Sequence, residues 1–250
     1  MNFDGLAGKR VLVTGAGGGI GAATAQAFGE AGCALGLHAL RSEAACRALA
    51  ERFRAAGGKA EVLTGDLRDP AVRAGLVDRF VGAAGGIDVL VNNAGGALGA
   101  RHFLELEEAA WEETFALNTL APFALARAAF RWMRDHGGGR IINIGSIGVK
   151  FGGGSHTMHY SAAKAALETL SLGMARAGAP HNILVNVIRP GVIDTPFHAK
   201  VPKADREGRV RQIPLGQAGT PQDVARMVAY LASDAGRFIT GQIFAVSGGE

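Results

Sequence analysis

Apolar positions along this chain form short, β-branched runs that alternate with longer stretches of helical spacing, almost from the first residue. Residues 10–14 read as a strand, followed by a helix over about 20–31. A second strand spans 34–38, with a helix opening near Ser42 and running to Ala56. The third strand covers 60–64, and Asp69-Pro70 then supplies an N-cap acid and a proline at the first helical position. Strands four and five fall at 89–92 and 140–144, separated by helical sequence over 105–136. Residues 160–177 are helical, 184–188 form strand six and 242–246 strand seven. Before that last strand, Thr220-Pro221-Gln222-Asp223 starts a helix with a cap, a proline and an acid in the first turn.

Each strand reads as a continuous apolar run, the mark of a strand covered by helices on both faces. Strict β–α alternation of such strands predicts an α/β fold: a Rossmann-type, doubly wound parallel sheet of seven strands, with helices on both faces. No repeat or linker divides the chain, so residues 1–250 are expected to form one domain. Ligands of such a sheet bind beyond the carboxyl ends of the strands, where the strand order reverses.

Glycine changes the picture most: 38 of 250 residues is about twice the ordinary ~7% share. These glycines lie between apolar runs, which predicts tight turns and close approaches of backbone to backbone or ligand. The net charge is +4. Its densest basic stretch (Lys200, Lys203, Arg206, Arg209 and Arg211, interrupted by Asp205 and Glu207) reads as a solvated surface, with an anionic substrate or cofactor group as the alternative. No aromatic residues interleave with it, so nucleic acid is not implied. Cys33 and Cys46 read as a buried small hydrophobe and an ordinary helix residue, not as a disulfide. No apolar stretch reaches the ~18 residues of a membrane span, and Met1-Asn2-Phe3-Asp4 does not open a signal peptide. The expectation is a soluble, cytoplasmic protein with no membrane partner.

Strand one runs directly into Thr14-Gly15-Ala16-Gly17-Gly18-Gly19-Ile20-Gly21. Glycines there let the backbone turn tightly and approach a pyrophosphate, whose charge sits at the positive end of the following helix. An NAD site usually places an acid about 20 residues on, at the end of strand two, to hold the ribose 2′-OH. Here that stretch is His38-Ala39-Leu40-Arg41-Ser42, with no acid. Arg41 offers a planar cation suited to a 2′-phosphate and Ser42 a hydroxyl, so NADP(H) is the preferred cofactor and NAD(H) stays open as the second. The competing reading makes Arg41 a surface residue and Ser42 the next helix cap.

Three further features follow strands. Asp66 and Leu67 come after strand three, where a carboxylate could accept from an adenine amino group. Asn92-Asn93-Ala94-Gly95 ends strand four; its amides would brace neighbouring strand ends while the small residues clear space for a ribose. Pro190-Gly191-Val192-Ile193-Asp194-Thr195 offers backbone groups and a hydroxyl for a nicotinamide carboxamide. Each alone is also an ordinary turn.

The reacting group is Tyr160-Ser161-Ala162-Ala163-Lys164. At i and i+4 the two side chains share a helix face, so the ammonium is expected to stabilise phenolate and lower the tyrosine pKa from about 10. Ser146, at the end of strand five, supplies a hydroxyl for a carbonyl oxygen on which charge develops. Asn118, a poor helix former inside a helical stretch, suits either a water-holding role or a simple kink.

Together these residues resemble the short-chain dehydrogenase/reductase family over essentially the whole chain. The matching motifs are Thr-Gly-x3-Gly-Ile-Gly (14–21), Asn92 to Gly95, Asn118, Ser146, Tyr160-x3-Lys164, and Pro190-Gly191 with Thr195. The resemblance implies that Tyr160 is the general acid/base, that Lys164 binds the nicotinamide ribose and tunes Tyr160, that Ser146 orients substrate, and that Asn118 holds a relay water. It also implies a homotetramer. Three departures stand out: Ser146 to Tyr160 is one residue longer than the commonest arrangement, with Gly152-Gly153-Gly154 between; Ser247 replaces the usual Asp before the final Gly-Gly; and glycine fills the loop position where NADP-preferring members often carry Arg.

His156 and His159 flank the site and read as substrate-lining residues, and without an acid or cysteine partner they predict no metal. Trp132 and Met133 read as packing. Loops 96–103, 151–159 and 197–201 are candidate substrate walls. The expected activity is reversible hydride transfer between a nicotinamide cofactor and a ketone or secondary alcohol. A catalytically idle NADP-binding sensor or scaffold is the rival, disfavoured because Ser146, Tyr160 and Lys164 are all present. A small free ketone is expected over a carrier-bound acyl chain. Family 3-oxoacyl-carrier-protein reductases tend to have a basic cluster before strand five; here Asp135-His136-Gly137-Gly138-Gly139 lies between Arg134 and Arg140. Alanine-rich faces on the helices at 105–136 and 160–177 offer surfaces for a homo-oligomer.

Overall fold

A computed structural model describes residues 4–195 and 206–250. β1 (Arg10–Thr14) leads into α1 (Gly19–Glu30), β2 (Ala34–Ala39) into α2 (Glu43–Ala55), and β3 (Ala60–Thr64) into α3 (Pro70–Ala84). Asp69 caps α3 by accepting from Ala71 N at 2.8 Å. β4 (Val89–Asn92) is followed by α4 (Glu108–Phe115) and α5 (Ala121–Asp135), and β5 (Gly139–Ile144) by α6 (Gly148–Phe151) and α7 (Met158–Gly178). β6 (Ile183–Pro190) precedes α8 (Arg206–Arg211), α9 (Pro221–Ala232) and β7 (Ile243–Val246). Thr220 and Asp223 close a reciprocal capping box on α9.

The seven strands pair parallel in the order β3-β2-β1-β4-β5-β6-β7. Alternate strand residues feed two cores. Val11, Val13, Leu35, Leu37, Val89 and Val91 pack with α1, α2 and α9 through Phe28, Leu49 and Val228. Leu12, Leu63, Leu90 and Ile141 pack with α3, α5 and α7 through Phe80, Leu125 and Ala175. Each such fully buried aliphatic side chain contributes about 1.5–3 kcal/mol, which is why the strands are apolar at most positions on both faces. β1 lies where the order reverses, so the loops after β1 and β4 diverge and leave a crevice at their carboxyl ends.

The helical stretch expected over 105–136 is broken. After α4 the chain makes a π turn at Ala116–Leu120, where Ala121 N–H reaches back to Ala116 O, and α5 then begins with Pro122 near its start. Proline has no N–H for the carbonyl of Asn118, so the ladder loosens there and the helix is interrupted at that residue. β6 runs to Pro190, beyond the expected end at 188. Both cysteines are buried and free. The proposed substrate wall at 197–201, and Lys200, Lys203 and Asp205 of the basic stretch, lie outside the described residues. No helix among the described residues is long and apolar enough to cross a membrane.

Candidate active site

The glycine loop is packed so closely that side chains do not fit. A Cβ on Gly21 would overlap Gly15 O and stand 2.5 Å from Asn93 Nδ2, and one on Gly17 would stand 2.8 Å from Ser42 O. Gly15 and Gly19 take positive φ, Ile20 packs against the core, and Gly18 faces open space at the start of α1. No side chain caps α1, so its first N–H groups and positive dipole end are available to an anion.

Asn93 is the brace expected at the switch point. Its amide donates to Thr14 O at 2.9 Å and Gly15 O at 3.1 Å, while the backbone N–H groups of Asn93 and Ala94 both donate to Thr14 Oγ1 at 3.0 Å. Arg41, just past β2, is exposed and forms no ion pair with the described residues; it lies near enough to Asp66 to help lower its pKa. Ser42 occupies the N-cap position of α2 without capping it through its side chain. Asp66 is more tightly held than expected: Arg68 grips its carboxylate through Nε at 3.0 Å and Nη2 at 2.6 Å, and this pairing is the main cause of its depressed pKa. Leu67 is buried in the core, and its carbonyl accepts from Arg73 at 3.1 Å.

On the other side of the crevice, Pro190 O accepts from Ile147 N at 2.9 Å and Gly191 N donates to Val246 O at 2.9 Å. Ile193 is buried and bridges to Gly219. Thr195 Cγ2 lies 3.1 Å from the position of a Cβ on Gly19, so this loop closes against the glycine loop.

Between the two sides sit Ser146, Tyr160 and Lys164. Ser146 Oγ accepts from Gly148 N at 3.1 Å and is hydrogen-bonded to the Tyr160 hydroxyl. Lys164 is 2% exposed; its Nζ donates to Ile144 O at 2.7 Å and lies 5.7 Å from the centre of the Tyr160 ring. The expected lowering of the Tyr160 pKa is reversed. Burial pushes the phenol up to about 12 against the opposing Ser146 bond, and burial also pulls the Lys164 ammonium down to about 8. Burial disfavours each charged form by more than the Ser146 bond returns at the phenol and the Glu168 charge returns at the ammonium.

Asn118 is fully buried and fully engaged. Its Nδ2 donates to Gly96 O and Thr114 O at 2.8 Å, and its Oδ1 accepts from Gly96 N at 3.1 Å. It thereby fixes the loop after β4; a Cβ on Gly95 would stand 2.6 Å from Asn118 Oδ1 and 3.1 Å from Lys164 Nζ. His159 is a buried tie whose Nε2 lies 3.0 Å from Leu98 O, whereas His156 faces His102 across 5.7 Å. No group of three or more metal-ligating side chains occurs among the described residues.

Two supports went unforeseen. Glu168, one turn past Lys164, receives Arg189 at 2.7 and 2.6 Å and works against the fall in the Lys164 pKa. Asn92 donates to Asn143 at 2.8 Å, and Asn143 to Ser171 at 2.8 Å, tying β4, β5 and α7 beneath the site. Asparagines in otherwise apolar strands, and an acid four residues after Lys164, were the signals available.

A family model described as enoyl-(acyl carrier protein) reductase matches residues 15–250. The chain is 38% identical to an uncharacterized oxidoreductase of Methylorubrum extorquens, covering 98% of each. It is 35% identical to the 3-oxoacyl-[acyl-carrier-protein] reductase of Escherichia coli, covering 100% of this chain and 98% of that one. A solved blue fluorescent protein from a metagenomic library, in complex with NADPH, superposes with a TM-score of 0.90 at 34% identity, covering 98% of each. With its sheet order, its glycine loop and its Ser146, Tyr160 and Lys164 gathered at one crevice, the chain belongs to the short-chain dehydrogenase/reductase family of oxidoreductases.

Proposed function

We propose that this chain is an NADP(H)-preferring enzyme that interconverts a ketone and a secondary alcohol, with Tyr160 exchanging the proton. The observation that carries the reading is the bonded Ser146–Tyr160 pair with the Lys164 ammonium beside the phenol ring. The glycine loop fits a dinucleotide, because Gly17 and Gly21 leave no room for a Cβ and α1 presents an uncapped start. Backbone of Gly15, Gly17, Gly18, Gly19, Ile20 and Gly21 would hold the pyrophosphate, and Arg41 with Ser42 the 2′-phosphate. Asp66 and Leu67 would border the adenine, Asn93, Ala94 and Gly95 the ribose, and Pro190, Gly191, Ile193 and Thr195 the nicotinamide. Bound there, the cofactor supplies or takes up the hydride. The NADPH complex of the similar blue fluorescent protein supports this choice.

In the reducing direction, Ser146 Oγ orients the substrate carbonyl and Tyr160 O–H donates its proton to the carbonyl oxygen. A phenol pushed up to about 12 holds that proton at neutral pH. The reverse reaction needs phenolate, and Lys164 is the charge placed to stabilise it. Asn118 holds the wall of the loop beside Lys164. Consumption of NADPH with a panel of ketones tests the reading; tight NADPH binding without turnover on any ketone would favour the idle sensor.

The names of curated relatives favour a second reading, reduction of a 3-oxoacyl group on a carrier protein. The cations at the two ends of the 135–139 segment argue for a free ketone: Arg134 pairs with Asp135 at 2.8 Å, and Arg140, within β5, is turned onto the carbonyls of Gly139 and Asn182. Salt-sensitive reduction of carrier-bound acetoacetate would reverse this preference. We also propose a cytoplasmic homotetramer; exposed Trp111, Leu120 and Leu172 offer apolar surface for self-association, and a stable monomer in sedimentation at micromolar concentration would contradict it.

A further inference from the structure

We infer that His38 is a positioning residue for the cofactor: its neutral imidazole pins the start of the glycine loop to the loop that carries Asp66. The inference rests on the dinucleotide reading of the crevice. His38 is the fifth residue of β2, opposite Thr14 of β1 and Leu63 of β3, and is 2% exposed. On one side Gly15 N–H points to its Nδ1 at 3.5 Å; on the other its Nε2 lies 3.0 Å from Gly65 O. Its own carbonyl accepts from Ala16 N at 2.8 Å. The side chain therefore touches the first residue after β1 and the first after β3, the two loops proposed to hold the pyrophosphate and border the adenine.

Hydrogen-bond chemistry selects one tautomer. A carbonyl oxygen only accepts, so Nε2 carries the proton and Nδ1 is left as the acceptor for Gly15 N–H. A second proton on Nδ1 would set two donors against each other and release the loop. The charges around the ring oppose one another: Arg79 disfavours the imidazolium and Asp66 favours it, while burial outweighs both and holds the pKa below the ordinary histidine value. A seated glycine loop thus requires neutral His38, and cofactor affinity should fall as the pH drops through the lowered pKa of that imidazole.

The test is calorimetric titration of NADP⁺ into wild type and His38→Gln between pH 8 and pH 5. Glutamine keeps a donor for Gly65 O but has no group that titrates. The 2′-phosphate also gains a proton near pH ~6, but equally in both proteins, so the difference in pH dependence isolates His38. Wild type should lose about threefold to tenfold more affinity on acidification than His38→Gln, the worth of one hydrogen bond. Parallel pH profiles would overturn the inference. Absence of NADP⁺ binding to wild type at any pH would instead overturn the cofactor reading itself. The imidazole nitrogens of wild type, read by ¹⁵N NMR at pH 7.5, should show a protonated Nε2 and a bare Nδ1; the opposite tautomer would overturn the inference without any variant.

Discussion

Alanine at Gly21 sets two known effects against each other. In an exposed helix interior, glycine to alanine gains about 0.5–1 kcal/mol. At Gly21 the added Cβ would stand 2.5 Å from Asn93 Nδ2 and overlap Gly15 O. Relieving that overlap breaks the Asn93 bonds to Thr14 O at 2.9 Å and Gly15 O at 3.1 Å. Those losses cost about 1 kcal/mol each, and the forced shift of packed backbone about 1–3 kcal/mol more. The net expectation is a loss of about 2–4 kcal/mol, which for a chain of this size lowers Tm by roughly 5–15 °C. The glycine loop moves with it, so NADPH affinity should fall as well. Gly82→Ala is the control: Gly82 is exposed in α3 and its Cβ would meet nothing within 4 Å, so this variant should be as stable as wild type or slightly more. Thermal denaturation and NADPH titration of both variants decide the matter. A Gly21→Ala protein with unchanged Tm and unchanged NADPH affinity would refute the close packing on which the dinucleotide site rests.

Arg41→Ala should weaken NADPH binding by about 2–3 kcal/mol and leave NADH nearly untouched, the loss of one charge-assisted phosphate contact; equal losses for both would make Arg41 structural. Because burial pushes Tyr160 up to about 12 and Lys164 keeps its charge only up to about 8, alcohol oxidation, which needs phenolate beside that charge, should accelerate from pH 6 to pH 8, and a flat profile of kcat/KM over that range would contradict the assignment. Lys164 sits at about 8 when folded against an ordinary 10.5, so between those values the unfolded chain holds more protons and stability rises with pH. The rise is at most about 3 kcal/mol and should vanish in Lys164→Met, measured by urea titration at pH 7.5 and pH 10. Parallel pH dependences in the two proteins would contradict the buried ammonium.

The strands were legible because burial on both faces leaves runs that are mostly apolar, and α3 and α9 because Asp69-Pro70 and Thr220-Pro221 are explicit start signals. The break at Asn118 was legible only in part. Pro122 announces a disturbed ladder, yet only the fold shows that the loosened turn aims the amide at Gly96. The proximity of Tyr160 and Lys164 could be read from spacing and Ser146 from its place at the end of a strand, but the direction of the Tyr160 pKa could not, because helical periodicity brings charges together without revealing how far water is excluded. The sequence also did not show that the Leu67 side chain is buried or that the His159 imidazole is tied to Leu98 O, since burial of a side chain next to a loop depends on partners distant in sequence. Arg68, two residues from Asp66, was the overlooked partner that closes on that carboxylate.

The most direct measurement of the central claim is steady-state and cofactor-binding kinetics of Tyr160→Phe. The substitution removes one hydroxyl and leaves the ring, the Lys164 bond to Ile144 O and the glycine loop in place. Turnover should fall by at least ~10²–10⁴-fold, the usual cost of a lost general acid, while NADPH affinity and Tm stay near wild type. A Tyr160→Phe enzyme that keeps more than about a tenth of wild-type turnover would contradict the account, because a proton would then reach the carbonyl oxygen by another route.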